Sequence, residues 1–408
     1  MQFVTLNELK IEGHIVSCKI SVPLKFEKYL RNKDSLLKIE YPQQYDLSTV
    51  PKGILYVAFV GQILPCSMLL GIGIKVDCLD EAFYNSLPQI KKAYKHLYPW
   101  LKTCFDVQVN RLEKCYYESQ GNVSLFFTGG LDATSALASV ADEQPILVNI
   151  VGGDILLTDL ASHDALKTYF TELTTKMGND FVFIKSNLRF MYNGELLTKL
   201  CDRKLLPFFN HGWWAGIAHI LSMATQIAPL AYIMKLEKHY IGSSYDSRGW
   251  IHDANNDEMV GAIKFGSCSL CPVDSLLGRT EKAAKVIAFS NKNKVHFELK
   301  VCWQRKASKN CCSCEKCYRT ILDILANKGN PNDYGFPVSD ATYNAMRTYL
   351  ENNYVNHAFW TDIQRTFKKN YEQWKDDGRI SWFLDFKINN SKIVVKKIIE
   401  VLRRRLKK

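Results

Sequence analysis

The sequence predicts an α/β protein: a doubly wound parallel sheet with an N-terminal α+β accessory domain and a helical C-terminal region. Three observations carry that expectation. Between residues 120 and 325, strand-length apolar runs SLFF, ILVNIV, FVFIK, HYIGSS and VHFELKV alternate with helical stretches such as ASHDALKTYFTELTTKM and GWWAGIAHILSMATQIA, the order of a parallel sheet with crossover helices. Ahead of it, short β-prone runs such as HIVSCKISV precede an amphipathic helix, LPQIKKAYKHLYPWLKTCF. Behind it, the chain lacks strong strand patterns and closes on SKIVVKKIIEVLRRRLKK, a basic amphipathic helix. The expected boundaries are 1–118 for the accessory domain, 119–325 for the sheet domain and 326–408 for the C-terminal region. A chain of 408 residues exceeds the ~250–300 at which single cores stop growing.

Taken in order, the first element open to two readings is GILYVAFVGQILPCSMLLGIGIKV, residues 53–76. Its length and apolarity suit a membrane span, but Gln62, Pro65, Ser67 and four glycines interrupt it, so buried strands with turns are expected and no membrane. The opening MQFVTLNELKIEG has no basic start followed by an apolar core, which predicts a cytoplasmic protein. In that setting thirteen cysteines read as thiols and metal ligands rather than disulfides. A hydrophobic share of 47% and a charged share of 23% exclude a disordered chain, and the net charge of +12 suggests a polyanionic partner.

The stretch SLFFTGGLDATSAL puts Gly129 and Gly130 in the turn between a strand and a helix. In a doubly wound sheet, ligands lie outside the carboxyl ends of the strands. Glycines let backbone N–H groups approach phosphate oxygens, and the helix start adds free amides and its positive dipole end. Thr128 and Thr134 add hydroxyls. The turn has neither the Gly-Lys-Ser/Thr ending of a P-loop nor a G-x-G-x-x-G fingerprint. The competing reading is a glycine turn that serves only chain geometry.

Cys302, Cys311, Cys314 and Cys317 in CWQRKASKNCCSCEKC place three thiols at i, i+3 and i+6 with a fourth nine residues upstream, a spacing suited to a tetrahedral zinc site. A competing tetrad would draw on Cys268 and Cys271 of CSLC. Asp154, after NIVGG, is either a ligand contact or a turn residue. His211 and His219, on the tryptophan-rich helix, are left out of the metal set. Arg279 and Lys282 open a helix near the sheet's carboxyl edge and read either as phosphate partners or as a solvated helix face.

TGGLDAT resembles the S-G-G-x-D-S signature of the PP-loop, or N-type, ATP pyrophosphatase superfamily. By position Gly129, Gly130 and Asp132 match, Thr128 and Ala133 replace the two serines, and Thr134 keeps a hydroxyl one place later. The cysteine spacing is similar to the zinc site of 7-cyano-7-deazaguanine synthases, themselves PP-loop enzymes, with Cys312 where that family usually has glycine. PVDSLLGRTEKAAKVI looks like that family's P-x-x-x-L-T-K-x-E segment, with Thr280, Glu281 and Lys282 displaced by extra residues. GSSYD, residues 242–246, falls where the family has a glycine-led loop, whereas the family's Y-P-D-C-R-P segment is missing.

The resemblance covers about 200 residues and implies a PP-loop fold. It implies ATP held by Thr128, Gly129, Gly130, Leu131, Asp132 and Thr134, with magnesium on its phosphates. Asp132 and Lys282 would be catalytic and the four cysteines would hold a structural zinc ion. The reaction it implies is adenylation of a carboxylate or amide, with release of pyrophosphate, on the way to an amide or nitrile. Two alternatives stay open: a degenerate nucleotide-binding regulatory module, to which Ala133 points, and a tRNA-thiolating PP-loop enzyme. Both flanking regions are expected to engage a protein or RNA partner, the basic tail among them, and an oligomer remains compatible with the sequence.

Overall fold

The computed structural model describes residues 2–31, 36–99, 101, 106–153, 155–205, 212–244, 253–302, 304, 309–355 and 357–388. Two compact units make up the chain. One comprises Met1–Phe127, Ser139–His163 and Gly178–Leu276; the other comprises Thr128–Ala138, Asp164–Met177 and Leu277–Lys408.

The first unit is built on one eleven-stranded sheet. Its strands are β1 (Phe3–Glu12), β2 (Ile15–Ser21), β3 (Leu36–Glu40), β4 (Gly73–Asp80), β5 (Val107–Glu113), β6 (Asn122–Phe126), β7 (Ile146–Val151), β8 (Phe181–Ser186), β9 (Leu236–Gly242), β10 (Lys264–Phe265) and β11 (Cys268–Val273). They lie in the order β10-β11-β9-β6-β7-β8-β3-β2-β1-β4-β5. The runs SLFF, ILVNIV, FVFIK and HYIGSS form β6 to β9, and β6 pairs in parallel with both β7 and β9. The order therefore reverses at β6, the condition for a switch point in an open α/β sheet.

The sheet is mixed and mostly parallel rather than purely parallel. Strands β1, β2 and β3 pair antiparallel in sequence, and β3 pairs antiparallel with β8 through Ile39 and Glu40 opposite Ser186 and Lys185. Residues 1–118 thus add their strands to the sheet of the residues that follow. No sheet boundary falls near residue 118.

Two expectations are corrected. Residues 53–76 are not strands with turns. Lys52–Leu70 is a 19-residue helix with every residue from Gly53 on buried, and only the end of the stretch enters β4. Two of the glycines read as turn signals are close-approach sites inside the helix: a Cβ at Gly61 would collide with the Thr225 side chain, and one at Gly53 would lie 2.8 Å from Glu113 Oε2. Gly71, at φ 65°, closes the helix in the left-handed conformation. A helix packed on all sides carries no polar face, so its sequence shows no 3.6-residue period. This helix and the segment Trp214–Met234 are long and apolar enough to cross a membrane, but the first is wholly buried and the second mostly so within this unit.

VHFELKV is the second correction. Val295, Phe297, Leu299 and Val301 are buried in alternation with more exposed residues, as a strand would have them. The backbone, however, bonds to loops: Leu299 N donates to Tyr334 O at 3.1 Å and Lys300 N to Gly129 O at 2.7 Å. The alternation is real and the sheet ladder is absent.

The second unit is helical. Helices Arg279–Asn293, Glu315–Ala326, Asp340–Asn352 and His357–Lys369 are its longest complete elements. Trp360, fully buried, donates from Nε1 to Glu315 Oε1 at 3.2 Å, and Phe367 stacks edge-on to Trp374 and Phe383. Helix His357–Lys369 therefore packs onto helix Glu315–Ala326.

Candidate functional site

All of the predicted site residues within the described chain fall in the second unit. The turn leaves β6 through Phe127. Gly129 sits at φ 71°, and a Cβ there would meet Lys300 Cγ at 3.1 Å and Tyr169 Cε1 at 3.3 Å. Glycine is required at that position by both backbone and packing. Gly130 differs. Its φ is not positive, and the nearest atom to an added Cβ is Thr128 Oγ1 at 3.3 Å, followed by Lys300 O at 3.8 Å. The backbone does not demand glycine there; an added Cβ would need only the Thr128 hydroxyl to give by a few tenths of an ångström, and close approach of a ligand would be a stronger demand.

Helix Leu131–Val140 starts with Thr134 N bonded to Gly130 O at 2.9 Å. Thr128, Gly130 and Asp132 are partly open, whereas Leu131, Ala133 and Thr134 are buried. The Thr134 hydroxyl has no hydrogen-bond partner among the described residues. Its burial keeps it from replacing, on the open side of the turn, the hydroxyl absent at Ala133.

Asp132 stands among cations. Lys282 Nζ lies 3.3 Å from its Oδ1, and Arg279 Nη1 lies 3.1 Å from its Oδ2. Both come from the start of helix Arg279–Asn293. That start is fixed by Glu281, whose Oε2 accepts from Gly278 N at 2.7 Å, a local bond that satisfies a free helix-end amide. Lys282 is 1% exposed, which rules out a solvated helix face. Burial pushes the Asp132 carboxyl up, but Lys282, Arg279 and Lys316 outweigh it and hold the group at about 2. Lys300, paired with Glu298 at 2.8 Å and lying over the Tyr169 ring, adds a further cation beside Gly129.

The four cysteines converge. The Sγ atoms of Cys302, Cys311, Cys314 and Cys317 all lie within 4.8 Å of one another, with Cys302 to Cys314 at 4.0 Å, Cys311 to Cys317 at 3.9 Å and Cys314 to Cys317 at 3.5 Å. Tetrahedral ligands at ~2.3 Å from zinc are about 3.8 Å apart. The cluster therefore could bind a metal such as zinc. Backbone amides also point at the sulfurs: Gln304 N donates to Cys302 Sγ at 3.2 Å and Ser313 N to Cys311 Sγ at 3.4 Å. Cys314 caps helix Glu315–Ala326 and Cys317 sits in its first turn, and the neighbouring Cys314 thiol and burial push the Cys317 thiol well up. Cys268 and Cys271 lie in β11 and do not join the four. Cys312, also outside the tetrad, takes φ 50°, the conformation glycine prefers.

Sequence reasoning missed Lys300, Asn310, Thr320 and Asp323. Asn310 Oδ1 accepts from the amides of Val301 and Cys302 at 3.2 Å each, and its Nδ2 donates to Leu299 O at 2.7 Å and Gly335 O at 2.9 Å. It clamps the two cysteine-bearing segments together. Polar residues on the buried face of an amphipathic helix, Thr320 and Asp323, were a legible signal.

Among the other candidates, His219 is half-buried and edge-on to Trp214. Gly242 ends β9 and Ser243 follows it, with Ser243 N bonded to Val273 O at 2.9 Å. Asp154, His211, Tyr245, Asp246 and the tail from 389 to 408 lie outside the described residues. No protein-family model matches the chain, and no curated protein is significantly similar to it.

Proposed function

We propose that the chain is an ATP-dependent adenylating enzyme of the PP-loop type, with a structural zinc ion on Cys302, Cys311, Cys314 and Cys317. The observation that carries this reading is the Gly130 turn. It is a partly open glycine with no positive φ, it follows the strand at which the sheet order reverses, and it precedes a helix whose Asp132 is matched by Lys282 and Arg279. ATP phosphates would lie against the Thr128 to Gly130 backbone. A substrate carboxylate or amide oxygen attacks the α-phosphorus, the bond to the bridging oxygen breaks, and pyrophosphate leaves with the electron pair. Arg279 and Lys282 offset the departing charge, the role preorganised cations play in phosphoryl chemistry. A nitrogen nucleophile then displaces AMP. Magnesium would be held by the phosphates and Asp132, and four thiolates leave zinc no open position for chemistry. The C-terminal helices and the strands of residues 1–113 supply surface for a macromolecular substrate, protein or RNA.

The test is binding of magnesium ATP to the purified chain by calorimetry, with pyrophosphate release assayed in native-cell extract depleted of endogenous enzyme. Saturable binding with pyrophosphate release supports the reading, and no binding at millimolar ATP sinks it. A second reading is favoured by Ala133 and the burial of Thr134: a nucleotide-binding module without turnover. It predicts the same binding with no pyrophosphate.

A further inference from the structure

The arginine paired with Asp132 is gripped from its far side by one face of helix Glu315–Ala326. Arg279 Nη2 donates to Thr320 Oγ1 at 3.2 Å. One turn on, Asp323 is fully buried; its Oδ1 accepts from Thr280 Oγ1 at 2.9 Å and its Oδ2 lies 3.8 Å from Arg279 Nε. At the helix end, Asn327 Nδ2 donates to Thr280 O at 2.9 Å and Asp323 O at 2.8 Å. Residues 320, 323 and 327 share a helix face and clasp the first turn of helix Arg279–Asn293. Arg279 Nε and Asp323 Oδ2 each lack a hydrogen-bond partner among the described residues. The contact is thus an ion pair with room to tighten. A buried carboxylate is costly unless it is paired, and Asp323 faces two cations, Arg279 and Arg319, of which Arg279 is the one that reaches Asp132.

We propose, resting on the nucleotide reading above, that Asp323 is a positioning residue for the reaction: its carboxylate orients the Arg279 guanidinium so that Nη1 meets Asp132 and stands ready for phosphate charge, without itself touching the nucleotide. The helix that carries it is capped by Cys314 and holds Cys317 in its first turn, so one element closes the cysteine centre and aims the arginine. The groups facing Asp323 are Arg279 from the neighbouring helix, Arg319 on its own helix and Asp362 from helix His357–Lys369. Burial is the largest influence and pushes the carboxyl up to about 6, with Arg279, the Thr280 hydrogen bond and Arg319 opposing and Asp362 adding to the rise. Protonation keeps the Thr280 contact and removes the pull on Arg279.

The test uses the full chain and the variants Asp323→Asn, which is isosteric, and Thr280→Val, which keeps both charges but frees one carboxylate oxygen. The first arm needs no nucleotide. The Arg279 Nε–H resonance, assigned by its loss in Arg279→Lys, is expected to be separate and exchange-protected in wild type at pH 7.5, to merge with free arginines in Asp323→Asn, and to broaden in Thr280→Val. The second arm measures magnesium ATP affinity from pH 5 to 8. Wild type is expected to bind about tenfold tighter than Asp323→Asn at pH 8, with the ratio falling toward one below pH 6. An unchanged resonance in folded Asp323→Asn, or a ratio that does not vary with pH, overturns the proposal. If the resonance responds as expected but no protein binds ATP, the orienting role holds and the nucleotide reading fails.

Discussion

Asp132 carries an electrostatic consequence that a single substitution can test. Its folded carboxyl is depressed to about 2 from an ordinary 3.8, so its contribution is present above the ordinary value and is lost as pH falls from about 4 to 2. One pH unit of depression is worth ~1.4 kcal/mol, which makes the contribution about 2 kcal/mol at neutral pH. Asp132→Asn also removes a carboxylate from beside the buried Lys282, so denaturant unfolding at pH 7 should show a loss of about 2–4 kcal/mol, shrinking between pH 4 and 2. An equal loss at pH 7 and pH 2.5 would refute the ion-pair account. The two glycines should separate fold from ligand. Gly129→Ala forces a side chain into φ 71° and should cost about 1–2 kcal/mol. Gly130→Ala should cost less than Gly129→Ala, since only the Thr128 hydroxyl must shift, and weaken ATP binding tenfold or more; a Gly130→Ala protein with undiminished affinity would remove the turn from the site.

At the scale of elements, helix Glu315–Ala326 joins the two halves of the site, because its cap and first turn hold two of the four thiols and its buried face holds Arg279. Purified protein should carry about one zinc ion per chain by elemental analysis, and Cys314→Ser should lose it along with folded structure, since metal binding supplies folding free energy. A well-folded, zinc-free wild type would overturn that expectation. Cys312 provides a contrast within the same loop. At φ 50° and outside the tetrad, it should accept Cys312→Gly with full metal content and a gain of about 0.5–1 kcal/mol. Loss of zinc in that variant would show Cys312 to be a ligand.

Across the whole molecule, the eleven-stranded sheet ties the first 113 residues to those that follow. Helix Lys52–Leu70 packs with the 219–234 segment, where Gly61 meets Thr225, and Gln62 Nε2 bonds to Leu188 O at 2.7 Å. A fragment covering 119–408 would uncover that apolar surface and leave the β8 edge without β3, both routes to aggregation. It should elute as soluble aggregate or fail to purify, and a monodisperse, cooperatively melting fragment would show that the sheet tolerates the cut.

The β6 to β9 strands, the Gly-Gly turn and the cysteine tetrad were legible because each is encoded in neighbouring residues: alternation of apolar runs, a strand-turn-helix join, ligand spacing within sixteen positions. Helix Lys52–Leu70 was not, since full burial erases the period that distinguishes a helix from a strand. Nor was the run VHFELKV, whose alternation matches a strand but whose amides bond to Gly129 and Tyr334. Tertiary structure alone decided that β3 joins β8, and that Arg279 and Lys282 reach Asp132 across 147 and 150 residues of chain. Charge partners and strand neighbours are chosen by which surfaces meet after the helices pack, and that choice leaves no periodic mark on the sequence around either partner.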